Sequence, residues 1–401
     1  MQPSLFRTAL VLGLLSAVGP FTIDMYLPAM PAIAEDLGGT IAATQATLTG
    51  YFIAFGLAQL IYGPMADQIG RKPPIYIGMA VFILGSVGCA LAPSIGWLTA
   101  ARAVQGLGAA AVMVIPRAII RDMHTGIEAT RLMALLMLVI SVSPMLAPLA
   151  GAGMLALGSW RLIFWALCGA AVLSLLLTVL AQPETLRPEN RRPVNLGSLL
   201  QGAGVLLRDP VFMGLTFVGG FGMASFFVFI ASASFVYSGQ FGLSPTGFGL
   251  AFAANALGFI GASQFAAPLG ARFGMVGVMR LAVIGFVLFT TLLLAVALVG
   301  LATLPVIIVL LVLGNACLGL VIPTTMVIAL DGHGDIAGLA SSLGGTLQML
   351  AGGAMIALAG PFFDGTALPM IAAIWVCASA ALALALWVLP RMARQAGASP
   401  A

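Results

Sequence analysis

Twelve apolar runs, most of them about 20 residues or longer, decide what this chain can fold into, because about 20 apolar residues of helix cross the roughly 30 Å hydrocarbon core of a bilayer. They lie at roughly 6–30, 44–64, 75–93, 97–119, 130–157, 161–181, 210–236, 247–268, 277–300, 304–330, 337–361 and 368–390. Several contain Gly and Pro, which membrane helices tolerate better than soluble ones. Of 401 residues 61% are hydrophobic and only 7% charged, with a mean hydropathy of +1.13. A water-soluble domain of that composition lacks the polar groups to cover its surface. The soluble enzyme, the disulfide-rich secreted module and the disordered chain are excluded together. The expected class is an all-α integral membrane protein.

The net charge of +4 and pI near 9.1 do not describe a nucleic-acid binder. There is one lysine, and the arginines are scattered between apolar runs instead of clustered on one face. Their placement reports orientation. With the N-terminus taken as cytoplasmic, Arg7, Arg71, Lys72, Arg117, Arg121, Arg131, Arg187, Arg191, Arg192, Arg208, Arg272, Arg280, Arg391 and Arg394 all fall on the inner side, 14 of the 16 basic residues. The outer loops hold only Arg161, along with Glu35, Asp36 and Asp364. The inner segment 331–338 is an exception, with Asp331, His333 and Asp335 but no Lys or Arg. Both termini are expected in the cytoplasm, in a multi-pass membrane protein.

Arg7 followed by an apolar run and Ala32-Ile33-Ala34 imitates a signal peptide, but the run to about Met30 exceeds the usual h-region of about 7–15 residues, so no cleavage is expected. Cys89, Cys168, Cys317 and Cys377 are far apart, each inside an apolar run, with neither disulfide-like nor metal-ligating spacing.

The longest polar stretch, Gln182 to Asp209, is rich in Pro and Arg. It reads as a cytoplasmic linker, 182–209, between six-helix bundles at 1–181 and 210–401. The halves echo each other. Gly56-Leu57-Ala58-Gln59 precedes Gly70-Arg71 in the first, and Gly261-Ala262-Ser263-Gln264 precedes Gly274 in the second. Internal duplication around a midplane site is how many secondary transporters are built.

Only two charges lie within the body of the spans, Asp24 in the first and Arg102 in the fourth. A charge near the bilayer centre costs at least about 2.5–3.5 kcal/mol and is expected to face the bundle interior with a partner. By helical rise Asp24 lies about 10 Å below the outer end of its span and Arg102 about 8 Å below its own, so the two are expected at depths where they can meet. Such a pair either fixes packing or serves an alternating-access switch in which the acid exchanges protons as its surroundings change. Tyr26, Gln105 and Asn315 are polar candidates for a cavity lining or for interhelical contacts.

Spans two and three are joined by Gly63-Pro64-Met65-Ala66-Asp67-Gln68-Ile69-Gly70-Arg71-Lys72-Pro73. Gly63 is expected to allow close helix approach, Asp67 to cap a helix or pair with a base, and Gly70 to permit a left-handed turn. Arg71 and Lys72 suit a cytoplasmic anchor, although a simple positive-inside loop does not explain the Gly, Asp and second Gly.

That loop resembles the signature of the major facilitator superfamily. Thr22-Ile23-Asp24-Met25-Tyr26-Leu27-Pro28-Ala29-Met30-Pro31 looks like the span-one signature of its Bcr/CflA group of drug exporters. Arg102-Ala103-Val104-Gln105-Gly106-Leu107-Gly108 looks like the span-four Arg motif associated with proton coupling, and the run from Ser143-Pro144 through Pro148 to Gly151 occupies the place of the span-five antiporter motif. Asp364-Gly365-Thr366-Ala367-Leu368-Pro369-Met370 also fits the group.

The resemblance covers essentially the whole chain. It implies twelve helices in two pseudo-symmetric six-helix bundles. It also implies that Asp24, Tyr26, Arg102 and Gln105 serve substrate and proton coupling. Gly63, Asp67, Gly70, Arg71, Lys72 and Arg121 are implied to form an inner gate, and Pro144, Pro148 and Gly151 a hinge in span five. The chain departs from the pattern with Ser143-Pro144 in place of the usual Gly-Pro. In its second half only Gly270-x-Arg272-x-Gly274 of the loop motif remains.

Two other patterns carry less. Gly106-x-Gly108-x-x-Ala111 mimics a dinucleotide fingerprint, but no strand precedes it. Gly344, Gly345, Gly352, Gly353 and Gly360 suggest close helix packing. An enzyme would need paired carboxylates, an activated nucleophile or metal ligands near a membrane face, and a channel a charged or carbonyl-lined filter. The sequence displays none of these.

The expected function is proton-coupled export of small, moderately hydrophobic drugs of phenicol or bicyclomycin type. Its expected partners are the drug, protons and the lipid bilayer, with no cofactor, no metal and no nucleic acid, in a monomer. Proton-coupled import of a small metabolite is the alternative, which no residue separates from export.

Overall fold

A computed structural model describes residues 5–124, 126–191 and 196–398. Arg192, one of the basic residues that set the orientation, lies outside the described residues. Among those described there are helices and no strands. The helices are α1 (Leu5–Asp24), α2 (Met30–Asp36), α3 (Ile41–Ile69), α4 (Lys72–Ala90), α5 (Ile95–Met123), α6 (Gly126–Ala156), α7 (Arg161–Ala181), α8 (Leu196–Arg208), α9 (Pro210–Phe235), α10 (Pro245–Ser263), α11 (Ala266–Phe273), α12 (Met275–Leu298), α13 (Leu304–Asp331), α14 (Ala337–Ala359) and α15 (Ala367–Ala398). Among the described residues twelve segments are long and apolar enough to cross a membrane, the number the apolar runs predict.

Caps and glycines set the helix boundaries. Thr40 Oγ1 accepts the Ala43 N–H at the start of α3, and Ser94 Oγ accepts the Trp97 N–H at the start of α5. Asp209 Oδ1 accepts the Val211 N–H where α9 begins at Pro210. Gly70, at φ 103°, breaks α3 from α4, and Gly274, at φ 77°, breaks α11 from α12. Both bends need backbone conformations that L side chains rarely adopt, and they are the two positions at which the halves echo each other in sequence.

The chain divides into two compact units, Met1–Val194 with Leu243–Ala253 and Asn195–Gly242 with Ala254–Ala401. In the first, α5 packs against α3 and α4, while α1 packs against α6 and α7. The crossings are made close by glycine. A Cβ on Gly106 would stand 2.4 Å from the Tyr51 carbonyl oxygen, and one on Gly108 would stand 2.4 Å from the Gly78 oxygen. Lipid offers no hydrophobic drive for helix association, so this intimate van der Waals contact is what holds such helices together.

In the second unit α9 is the central helix, packed against α13, α14 and α15. Gly214 abuts Val388 and Gly352 abuts the Phe227 ring. Gly352 therefore does what the span-eleven glycine pattern suggests, while Gly344 makes only ordinary contacts.

Candidate functional site

The first span is not one helix. The last regular rung of α1 is the Met25 N–H to the Phe21 oxygen at 3.0 Å. Residues Leu27–Ala29 then form a short 3-10 turn before α2 resumes at Met30. The cause is legible in the chain, since Pro28 and Pro31 lack the N–H groups that would bond the carbonyls of Asp24 and Leu27. Asp24 is thus the last residue of a helix that stops inside a span. Its side chain is buried, and its carboxyl makes no hydrogen bond or ion pair with any described residue.

Arg102 reaches the same helix end from α5. It is completely buried. Its Nη1 donates to the Thr22 carbonyl oxygen at 3.1 Å and to Gln105 Oε1 at 2.6 Å. Asp24 and Arg102, whose depths allow them to meet, make no ion pair. The physical reason is the break itself: with α1 ending at Asp24, the Thr22 carbonyl has no helical donor and takes the guanidinium as its cap.

The rest of the cation is met by ring faces. Its central carbon lies 4.5 Å from the Tyr51 ring centroid, 4.7 Å from that of Tyr26 and 6.0 Å from that of Phe164. Nε and Nη2 have no hydrogen-bond acceptor among the described residues, so the attraction of the ring quadrupoles stands in for a counter-ion. The surrounding groups are fixed in turn. Gln105 Nε2 donates to Ser86 Oγ at 2.8 Å, and the Tyr26 and Thr47 hydroxyls lie 2.8 Å apart. Asn315, by contrast, bonds Asn255 at 3.1 Å in the second unit.

Of the span-five residues, Gly151 belongs to this arrangement. It faces Met25 at the break, and a Cβ there would sit 2.1 Å from the Met25 oxygen. Pro144 and Pro148 lie within a continuous α6, where each leaves one carbonyl without its helical donor.

A second cluster surrounds the loop between α3 and α4. Arg71 Nη1 donates to Asp67 Oδ1 at 2.5 Å, while Nε and Nη2 reach Asp122 Oδ2 and Oδ1 at 2.7 and 3.2 Å. Thr185 Oγ1 donates to Asp122 at 3.1 Å. Glu184 accepts the N–H groups of Arg71 at 2.9 Å and Lys72 at 3.0 Å. Partial burial pushes the Glu184 carboxyl up, but backbone N–H donors from Lys72, Arg71, Leu186 and Thr185 outweigh it and hold the acid below the usual carboxylate range. Lys72 Nζ donates to the Val179 oxygen at 3.3 Å.

Two expectations for this loop need correction. Arg121 is exposed and takes no part in the cluster; its neighbour Asp122 does, because one residue along a helix turns the side chain by about 100°. Gly63 has nothing within 4 Å of a built Cβ, so it serves no close approach. Gly70 does, as its Cβ would meet Glu184 Oε2 at 2.8 Å.

Tyr51, Phe164, Asp122, Glu184 and Thr185 were not predicted as site residues. Asp122 and Glu184 do carry a sequence signal, as acids at the ends of spans otherwise marked by basic residues. The aromatic partners carry no signal of their own in an apolar run.

The chain belongs to the Major Facilitator Superfamily, whose family profile matches residues 12–354. It is 37% identical over 374 residues to the uncharacterized MFS-type transporter YdgK of Bacillus subtilis (strain 168), covering 92% of each chain. It is 30% identical to a bicyclomycin resistance protein homolog of Haemophilus influenzae, covering 94% of each. A chloramphenicol resistance protein of Pseudomonas aeruginosa is 32% identical over 283 residues, which are 69% of this chain and 65% of that one. Among solved structures, the peptide transporter POT superposes with a TM-score of 0.75 at 18% identity, covering 97% of this chain and 94% of that one, a likeness of fold. The protein is a multi-pass membrane transporter of a small molecule.

Proposed function

We propose that this transporter exports small, moderately hydrophobic drugs from the cytoplasm in exchange for protons. The observation that carries the reading is Asp24, a buried carboxyl without a partner among the described residues, at a helix end capped by Arg102. A structural ion pair would have joined the two. An acid left unpaired in apolar surroundings is free to gain and lose a proton, and a charge change there alters the balance at the break in span one. Relatives named for resistance to bicyclomycin and chloramphenicol support drugs of those types as cargo.

By the distribution of Lys and Arg, the end bearing Arg71 and Lys72 faces the cytoplasm, as do both termini. In the cycle, drug binds from the cytoplasm as Asp24 releases its proton inward; reprotonation from outside then ejects the drug by alternating access. One proton crossing 100 mV supplies about 2.3 kcal/mol, enough for about a fiftyfold drug gradient. The carrier works as a monomer and needs no cofactor.

The test is a drug-susceptibility panel on cells lacking their own exporters. Wild-type protein should protect against chloramphenicol or bicyclomycin, and Asp24→Asn expressed to the same level should not. Unchanged susceptibility to every compound with wild-type protein would overturn the reading and favour import.

A further inference from the structure

The end of the first unit away from Arg71 holds an ion pair that helix stability does not explain. Asp36 is the last residue of α2, and Arg161 is the first of α7. A helix dipole disfavours an acid at a C-terminus and a base at an N-terminus, so each charge stands at the wrong end of its helix. Yet they are paired at 2.7 Å. Asp36 also accepts the Trp160 indole N–H at 2.9 Å. The second arm of Arg161 donates to the Ala92 oxygen, after α4, at 3.1 Å, and the guanidinium lies 4.2 Å from the Trp160 ring centroid. Three chain segments thus meet on one acid and one base.

The cluster is continuous with the buried site. Trp160 packs on Phe164 with ring centroids 6.0 Å apart, Phe164 packs on Tyr26 at 5.8 Å, and Arg102 lies over both Phe164 and Tyr26. α2 is only 7 residues long, too short to hold its place by its own hydrogen bonds. It is tied at one end by Asp36 and leads at the other into the 3-10 turn beside Asp24.

We propose that Asp36, Trp160 and Arg161 form an outer clamp. It fixes the outer piece of span one, so that movement in that span is confined to Met25–Ala29. Asp36 and Arg161 are then positioning residues for Asp24, holding it at the depth from which it exchanges protons with the outside. This rests on the proposed proton exchange; the clamp itself does not.

The test uses the full chain in lipid nanodiscs and proteoliposomes. Arg161→Gln and Asp36→Asn should each speed amide exchange across 30–39 by about tenfold or more, with residues 72–86 of α4 unchanged, because Arg161 touches only the segment that follows α4. Arg161→Lys, which keeps the charge, should stay within about threefold of wild type. In proteoliposomes, chloramphenicol-driven proton flux of Arg161→Gln should keep its maximal rate but shift its dependence on outside pH by about half a unit or more.

Unchanged exchange at 30–39, a rise that extends equally to residues 72–86 of α4, a Lys variant as labile as Gln, or an unmoved pH profile would each overturn the proposal. Wild-type protein with no chloramphenicol-driven flux would instead contradict the transport reading, and the exchange measurement would still decide the clamp.

Discussion

Gly151 of α6 lies directly on the main chain of Met25, so that a Cβ atom at position 151 would come within 2.1 Å of the Met25 carbonyl oxygen. A glycine from span five is therefore built against the break in span one, at the residue that follows Asp24. The contact is with backbone, which cannot rotate out of the way. Gly151→Ala should destabilise the protein by about 1–3 kcal/mol through overpacking. Gly153→Ala, where a built Cβ meets nothing within 4 Å, should leave the melting temperature in detergent unchanged. Equal melting temperatures for the two variants would mean that the break yields without cost.

Tyr51 holds Arg102 through its ring, not its hydroxyl, which has no hydrogen-bond partner among the described residues. Tyr51→Phe should be neutral or slightly stabilising, since it removes an unsatisfied buried hydroxyl. Tyr51→Leu removes a desolvated cation–π contact and should cost about 2 kcal/mol. Thermal unfolding of the three proteins in the same detergent separates these outcomes.

At the loop between α3 and α4, Arg71 pairs with both Asp67 and Asp122, while Arg121, next to Asp122, stays outside the cluster. Asp122→Asn leaves a buried guanidinium half-paired, and breaking such a pair costs about 3 kcal/mol. Arg121→Gln, at an exposed position, should stay within about 0.5 kcal/mol of wild type. Unfolding midpoints of the purified variants check both.

Glu184 gives the fold a dependence on acid. Its carboxyl is held below the usual range by backbone donors, so the folded state binds a proton less readily than the unfolded chain. The stabilisation is fully present above the ordinary glutamate range and is lost as pH falls through the lowered folded value. Melting temperature measured from pH 7 downward should therefore fall less steeply in Glu184→Gln than in wild type. Parallel curves would show that the contacts at Arg71 and Lys72 do not depend on the charge.

The spans were legible because crossing a bilayer demands length and hydropathy, and both are local properties of a sequence. Gly70 and the Asp67–Arg71 pair were legible for a similar reason: a left-handed bend and an i,i+4 pair depend on nothing distant. The break after Asp24 was written in Pro28 and Pro31, but an unbroken apolar run concealed it.

The setting of Arg102 was not legible. Tyr51, Tyr26 and Phe164 come from three separate spans, and an aromatic residue facing a buried cation looks in sequence like one facing lipid. Arg121 comes from the family resemblance alone; that Asp122 and not Arg121 reaches Arg71 turns on one step of helix rotation, finer than any estimate of where a span ends.

The central claim is that Asp24 gives up a proton when drug binds. The direct measurement is proton release from purified protein in weakly buffered detergent solution on addition of chloramphenicol, read with a pH indicator dye alongside binding. Wild-type protein should release protons in proportion to drug bound, and Asp24→Asn should bind chloramphenicol without releasing any. Proton release from Asp24→Asn equal to that of wild type would contradict the account.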